Sequence, residues 1–103
     1  LAATLANQAD LALRAGDIGR AERALAEAID LDRATENLPG LAHDLGLKAR
    51  ASAERGDAPA ALEFYRRARA VARHTGERGQ AERYERAIDH LNCESGVRLQ
   101  QGE

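Results

Sequence analysis

Apolar residues recur along almost the whole chain at intervals of three and four, the spacing of one buried face of an α-helix. No segment alternates apolar and polar residues as a half-buried strand would. The apolar positions form five sets: 5, 9 and 12; 18, 21, 25, 28 and 29; 38, 41, 42, 45 and 49; 61, 65, 68 and 72; and 81, 84, 88 and 91. The pattern therefore predicts an all-α protein with five helices, near residues 2–15, 18–34, 38–55, 58–74 and 77–94, and a frayed tail over 95–103.

Residues with a known role at helix ends stand between these sets. Gly16 and Gly56 can take the left-handed conformation that ends a helix. Asp17 and Asp57 follow them and can cap the next helix with a side-chain oxygen. Asn37 can do the same two positions before a proline. The chain is therefore predicted to turn in tight corners, without a long linker.

One motif occurs twice, forty residues apart: Gly-Asp-x3-Ala-x3-large-x2-Ala, over residues 16–28 and again over 56–68. The large residue is Leu25 in the first copy and Tyr65 in the second. The apolar residues are mostly alanine, so the core is predicted to form by close approach of small side chains on helices. Tyr65 is predicted to lie in the core, and its neighbour Phe64 either against the last helix or exposed.

This doubled motif resembles the tetratricopeptide repeat (TPR) family in a long form of about 40 residues. The resemblance implies a TPR-like α-solenoid of antiparallel helix hairpins, two and a half repeats long. Repeat one would span 2–35, repeat two 38–75 and a capping helix 77–94, so that one domain covers 1–94. The aromatic and Leu-Gly positions of the family's first helix are mostly absent, and helical repeats of the HEAT type compete on length. The Gly-Asp-x3-Ala corner favours the TPR interpretation.

In the TPR family the first helix of each hairpin lines a concave surface that binds peptides or helices. The resemblance implies a partner-binding groove formed by Asn7, Asp10 and Arg14 on the first helix, His43, Leu47 and Arg50 on the third, and Glu82, Arg86 and Asp89 on the fifth. Some TPR domains clamp a C-terminal carboxylate with Lys and Asn, but Ala6, Asp10, Gly46 and Arg50 stand at those positions, so no such clamp is predicted. The competing interpretation is that these polar groups only form a solvated face.

Charge and composition narrow the classes of partner. The formal net charge is −2 and charged residues of both signs make up 31% of the 103 residues, which does not favour nucleic acid or an anionic membrane. A single cysteine and the lack of a leader or long apolar run predict a cytoplasmic protein without an internal disulfide. Arg66, Arg69 and Arg73 recur at helical spacing, but pairing with nearby glutamates favours a solvated face over a basic binding stripe.

No catalytic or cofactor-binding pattern stands out. His90 and Cys93 would share one helix face, but two ligands are too few for a zinc site and no second pair has such spacing. Cys93 has no evident base, and the Gly16–Gly19 segment lacks the lysine and preceding strand of a phosphate loop. We therefore expect no enzyme activity, metal or cofactor.

These observations predict a non-catalytic protein–protein or peptide interaction module. The lack of Met at position 1 suggests a part of a larger protein, which we expect to be a bacterial regulatory or assembly protein. One alternative is a sensor arm that binds a small molecule or signalling peptide in a signal-transducing ATPase or transcriptional activator, which a closed pocket between hairpins would favour. The other is a structural or self-association module: Leu1, Leu5, Leu11 and Leu13 are predicted to form an apolar strip through which the ends of the solenoid could form a homodimer.

Overall fold

The structure is a computed structural model that describes the backbone of residues 1–101 and side chains as far as Cys93. Five α-helices make up the described chain, which contains no strand: α1 (Ala2–Arg14), α2 (Ile18–Ala34), α3 (Leu38–Glu54), α4 (Ala58–Thr75) and α5 (Arg78–Gln101). Each helix packs against the next along the chain, and α1 also contacts α3. The prediction of an all-α protein with five helices is confirmed.

The last helix ends later than the sequence pattern indicates. The prediction ended it at residue 94 and assigned 95–103 to a frayed tail, whereas α5 continues to Gln101; residues 102 and 103 lie outside the described residues. Gly96 follows the predicted end, but one glycine inside a helix costs only about 1 kcal/mol relative to alanine. That cost is too small to fix a helix boundary.

Four corners with the same backbone geometry join the helices. Each contains one residue with a positive φ, and these residues are spaced twenty apart: Gly16 (82°), Glu36 (55°), Gly56 (88°) and Gly76 (77°). At the first corner the Gly16 N–H donates to the Leu13 carbonyl at 3.1 Å, and the Asp17 N–H donates to the Ala12 carbonyl at 2.8 Å. The same pair of hydrogen bonds closes the other three corners, so α1, α2, α3 and α4 each end in a Schellman motif.

Side-chain caps begin the helices that follow three of these corners. Asp17 accepts a hydrogen bond from the backbone of Arg20 at 3.2 Å, and Asp57 accepts one from Ala60 at 3.2 Å. Asn37 accepts one from the Gly40 N–H at 3.3 Å. Each cap pairs a backbone donor that has no partner within its own helix. The three predicted caps are thus confirmed.

Alanine dominates the core. The four motif alanines Ala21, Ala28, Ala61 and Ala68 are completely buried, as is Leu25. Two clusters divide the buried apolar residues: one joins α1 and α2 to Leu47 and Ala51 of α3, and the other joins α2, α3, α4 and α5. Because α3 contributes to both clusters, it is the central helix of the fold.

Two sequence-based placements are corrected by the packing. Leu13 is 2% exposed and belongs to the first core cluster, so it is not part of an exposed strip on α1; Leu1 and Leu11 are 85% and 65% exposed. Tyr65 is only partly buried, because its ring lies at the edge of the second cluster. Phe64 also packs against this cluster, with the Lys48 ammonium 4.8 Å from its ring centre.

Candidate functional site: a cavity between the odd-numbered helices

A cavity of about 380 Å³ opens between α1, α3 and α5, with one residue from α4 in its wall. We call it the central cavity. It is lined by Asp10, His43, Gly46, Leu47, Arg50, Tyr65, Arg83, Tyr84 and Ala87. Four of these residues, Asp10, His43, Leu47 and Arg50, were predicted from the sequence to face a groove. The structure therefore brings Asp10 of α1 and the three predicted residues of α3 to one place.

The other predicted groove residues lie elsewhere. Glu82 and Arg86, with Arg83 and Pro39, line a shallower depression at the N-terminal ends of α3 and α5. Asn7, Arg14 and Asp89 are exposed and line none of the cavities found in the described part of the chain. Arg14 nevertheless reaches the carboxylate of Asp10 at the edge of the central cavity.

An ion pair across the cavity connects the first and third helices. The Asp10 carboxylate binds Arg50 through Oδ1 and Arg14 through Oδ2, each at 3.1 Å. The Asp10 side chain is 29% exposed and that of Arg50 is 40% exposed, so solvent screening limits each pair to about 0–1 kcal/mol of stability. The main effect is positional, because Asp10 holds the Arg50 guanidinium at the cavity wall.

Two tyrosines form the aromatic part of the wall. The Tyr84 hydroxyl donates a hydrogen bond to the Ala42 carbonyl at 3.0 Å, and the ring centres of Tyr84 and Tyr65 are 6.3 Å apart. A Cβ atom at Gly46 would lie 2.5 Å from Cε1 of Tyr84, so only glycine leaves room for this ring. Burial raises the pKa of both phenols, and the positive charge of Arg50 partly opposes this rise in the pKa of Tyr65.

Several hydrogen-bond donors at the cavity have no protein partner within the described residues. Arg83 makes no ion pair there, although it lies close enough to Tyr84 to lower the pKa of that phenol. The His43 imidazole and the Tyr65 hydroxyl also make no hydrogen bond to described groups. The central cavity thus offers aromatic surface together with unpaired donors, a combination that binds other molecules.

A buried pair of carboxyl groups lies behind the cavity, where α2 meets α3. Asp32 is 3% exposed and Asp44 is 1% exposed. Asn37, the cap of α3, donates through Nδ2 to Oδ1 of Asp32 at 3.0 Å. A Cβ at Gly40 would lie 2.8 Å from Oδ2 of Asp32, so this glycine leaves the space that the carboxyl group occupies. The corner between α2 and α3 is therefore built around Asp32.

Asp44 keeps its proton at neutral pH. Burial, which is the largest cause, together with the hydrogen bond to Asp32 and the negative charge of Asp32, raises the pKa of Asp44 to about 8. At this pKa Asp44 is protonated at neutral pH and can donate to Asp32. Its Oδ2 atom is buried without a recorded hydrogen-bond partner among the described residues. Asp32 and Asp44 were not predicted from the sequence, although each interrupts an apolar stripe, Asp32 after Ile29 and Asp44 beside Leu45.

The arginines of α4 are largely neutralised by glutamates. Arg69 and Arg73 both bind Glu85 of α5, at 3.2 and 2.7 Å, and Arg67 binds Glu63 at 3.1 Å. These ion pairs agree with the solvated-face interpretation of the stripe. The pairs to Glu85 also attach the last helix to α4.

Residues 1–93, whose side chains are described, hold no group of three or more potential metal-binding side chains. Cys93 is exposed on α5. None of the helices in this part of the chain combines the length and the apolar character that crossing a membrane requires. Compared with known proteins, the chain matches no family model, no curated protein and no solved structure.

Proposed function

We propose that the chain is a TPR-like α-solenoid of two and a half hairpins whose central cavity binds a segment of a protein partner. One observation carries the proposal: residues forty positions apart meet in the same cavity. The three pairs are Asp10 and Arg50, His43 and Arg83, and Leu47 and Ala87. Stacked repeats bring equivalent positions of successive first helices side by side, and the surface so formed is the one that such proteins use for binding.

The volume and the lining residues of the cavity support a peptide segment as the ligand. Its volume of about 380 Å³ can accept one or two side chains. Tyr65 and Tyr84 supply apolar contact area with little conformational freedom to lose, while Arg83 and His43 supply donors that can pair with a backbone or a side chain. The wall is composed like other sites that bind peptides, with aromatic anchors and a few polar groups.

Site-specific photo-crosslinking tests this function. A photoreactive phenylalanine analogue replaces His43 at the cavity, and in a matched control it replaces Glu27, an exposed residue of α2. We expect the first protein to crosslink specific partner peptides from a cell extract and the second to crosslink none of them. Identical products from both positions, or no product at residue 43, would reject binding in the cavity.

A second candidate function, self-association through the face of α1, has its own support. Leu1 and Leu11 are the large apolar residues that the structure leaves exposed within its described part. Leu11 corresponds to Ala51 one repeat later, and Ala51 is completely buried against the preceding hairpin. An equivalent surface on α1 would therefore accept another hairpin, including that of a second copy.

Light scattering distinguishes a monomer from a dimer in solution. At high concentration the mass should be that of a dimer for the wild type and of a monomer for Leu11→Glu, because a buried charge opposes packing of the two faces. A monomeric wild type would exclude self-association through this face.

A further inference from the structure

The central cavity carries a positive charge in a protein that is negative overall. Its lining contains two arginines, Arg50 and Arg83, and one aspartate, Asp10, which gives a net charge of +1 with His43 neutral. Arg14 adds a further positive charge at the rim, through its ion pair with Asp10. The whole chain has a formal net charge of −2, so the local sign is opposite to that of the molecule.

The only carboxylate in the lining is already occupied. One oxygen of Asp10 accepts a hydrogen bond from Arg50, and the other forms an ion pair with Arg14. Arg50 uses Nη1 in this contact and retains further N–H groups, since a guanidinium carries five donors. Arg83 has no carboxylate partner in the described part of the chain, although Glu82 lies next to it in sequence and shares the neighbouring depression with it. The cavity therefore holds positively charged N–H donors that an anion can pair.

We propose that the partner segment presents a glutamate or aspartate side chain to the central cavity, where Arg83 and Arg50 bind its carboxylate. This inference rests on the proposed peptide-binding function and specifies its partner. Guanidinium and carboxylate groups form charge-assisted hydrogen bonds, which are shorter and stronger than those between neutral groups. A lysine or arginine of the partner would instead meet Arg83, whose positive charge repels it.

The apolar part of the wall favours a side-chain carboxylate over inorganic phosphate. Leu47, Ala87 and the ring of Tyr65 lie in the same cavity and can contact the methylene groups that carry the carboxylate. The Tyr65 hydroxyl, which has no hydrogen-bond partner in the described residues, adds a neutral donor.

Peptide pools with a fixed centre test this inference without knowledge of the partner. The probes are blocked peptides of random sequence in four pools, whose central residue is Glu, Gln, Lys or phosphoserine. The immobilised wild-type domain should retain the Glu pool about tenfold more than the Gln pool, a ratio typical of a hydrogen bond to a charged group. It should retain the Lys pool least. Raising the salt concentration should lower the preference for Glu.

Two variants identify the residue responsible. Arg83→Gln should reduce the preference for the Glu pool over the Gln pool several-fold, because one of the two guanidinium groups that bind the carboxylate is lost. Arg23→Gln, at an exposed position of α2 outside the cavity, removes the same charge from the chain and should behave as wild type. Circular dichroism checks that both variants keep their helices.

The outcomes distinguish the two proposals. Equal retention of the Glu and Gln pools, with binding of both, would overturn the carboxylate inference and leave peptide binding in place. An undiminished Glu preference in Arg83→Gln would also overturn it, as would stronger retention of the phosphoserine pool. No retention of any pool would overturn the proposed function itself, and the carboxylate inference with it.

Discussion

Replacement of Asp44 by asparagine should change how the stability of this protein depends on pH. In the unfolded chain an aspartate has a pKa of about 4. In the folded chain, burial and the neighbouring Asp32 raise the pKa of Asp44 to about 8. Between these two values the folded state holds a proton that the unfolded state has released. The stabilising contribution is therefore fully present below about pH 4 and is lost as the pH rises through about 8.

The pKa difference sets the size of the effect. While only the folded state is protonated, the free energy of unfolding falls by up to about 1.4 kcal/mol for each unit of pH. Asp44 is 1% exposed, so solvent screening reduces this slope little. Over two units, from about pH 5 to about pH 7, the loss is roughly 2–3 kcal/mol, a large part of the 5–15 kcal/mol that stabilises a typical domain.

Urea denaturation of matched variants measures the effect. In Asp44→Asn the amide group can donate to Asp32 as the protonated acid does, but it does not titrate. The stability of this variant relative to the wild type should therefore rise by about 1.4 kcal/mol per pH unit over this range. Asp30→Asn, at an exposed position of α2, should follow the wild type. Parallel pH profiles for Asp44→Asn and the wild type would refute the protonated pair.

Three further substitutions test the corners and the core by urea or thermal denaturation. Glu36→Gly should stabilise the protein by up to about 1 kcal/mol, because a non-glycine residue at φ 55° is strained. Gly56→Ala should destabilise it by about 1 kcal/mol for the same reason. A loss of stability in Glu36→Gly would contradict the strain argument. Gly46→Ala should cost about 1–2 kcal/mol because its Cβ displaces Tyr84, and wild-type stability would show that the ring moves freely. Ala61→Leu should cost about 1–3 kcal/mol by overpacking a residue with no exposed surface, and an unchanged melting midpoint would count against close helix approach at this alanine.

The helices and most corners could be predicted from the sequence because they depend on local signals. Apolar spacing gives the helices, and Gly16 followed by Asp17 gives a corner that requires no knowledge of distant residues. The corner at Glu36 was not recognised as equivalent, because glutamate has no preference for the left-handed conformation that its position imposes. The corner interval of twenty residues therefore became apparent only in the structure.

The site was only partly predictable because it depends on which helices meet. The resemblance to TPR helices, carried over by register, identified Asp10 and Arg50, which lie forty residues apart in the sequence and together in the cavity. Tyr65 was predicted to be core and Arg83 was not predicted at all, since the packing of α5 against its neighbours decides which of their atoms reach the cavity. Whether the cavity binds a partner stays a prediction, as does the use of Glu82, Arg86 and Asp89.

The twenty-residue interval between corners restricts how the length of this chain can change. Each added residue in a helix turns everything after it by about 100°, so a single insertion within α3 would rotate Ala49 and Ala51 out of their buried positions. Removal of one whole interval of twenty residues would leave the buried face of each later helix unchanged along its sequence. It would, however, reverse the direction in which every later helix runs. Removal or duplication of two intervals preserves both phase and direction. Gain or loss of forty residues at a time is therefore the change in length that this architecture accommodates most readily, and relatives that differ in size should differ by that step.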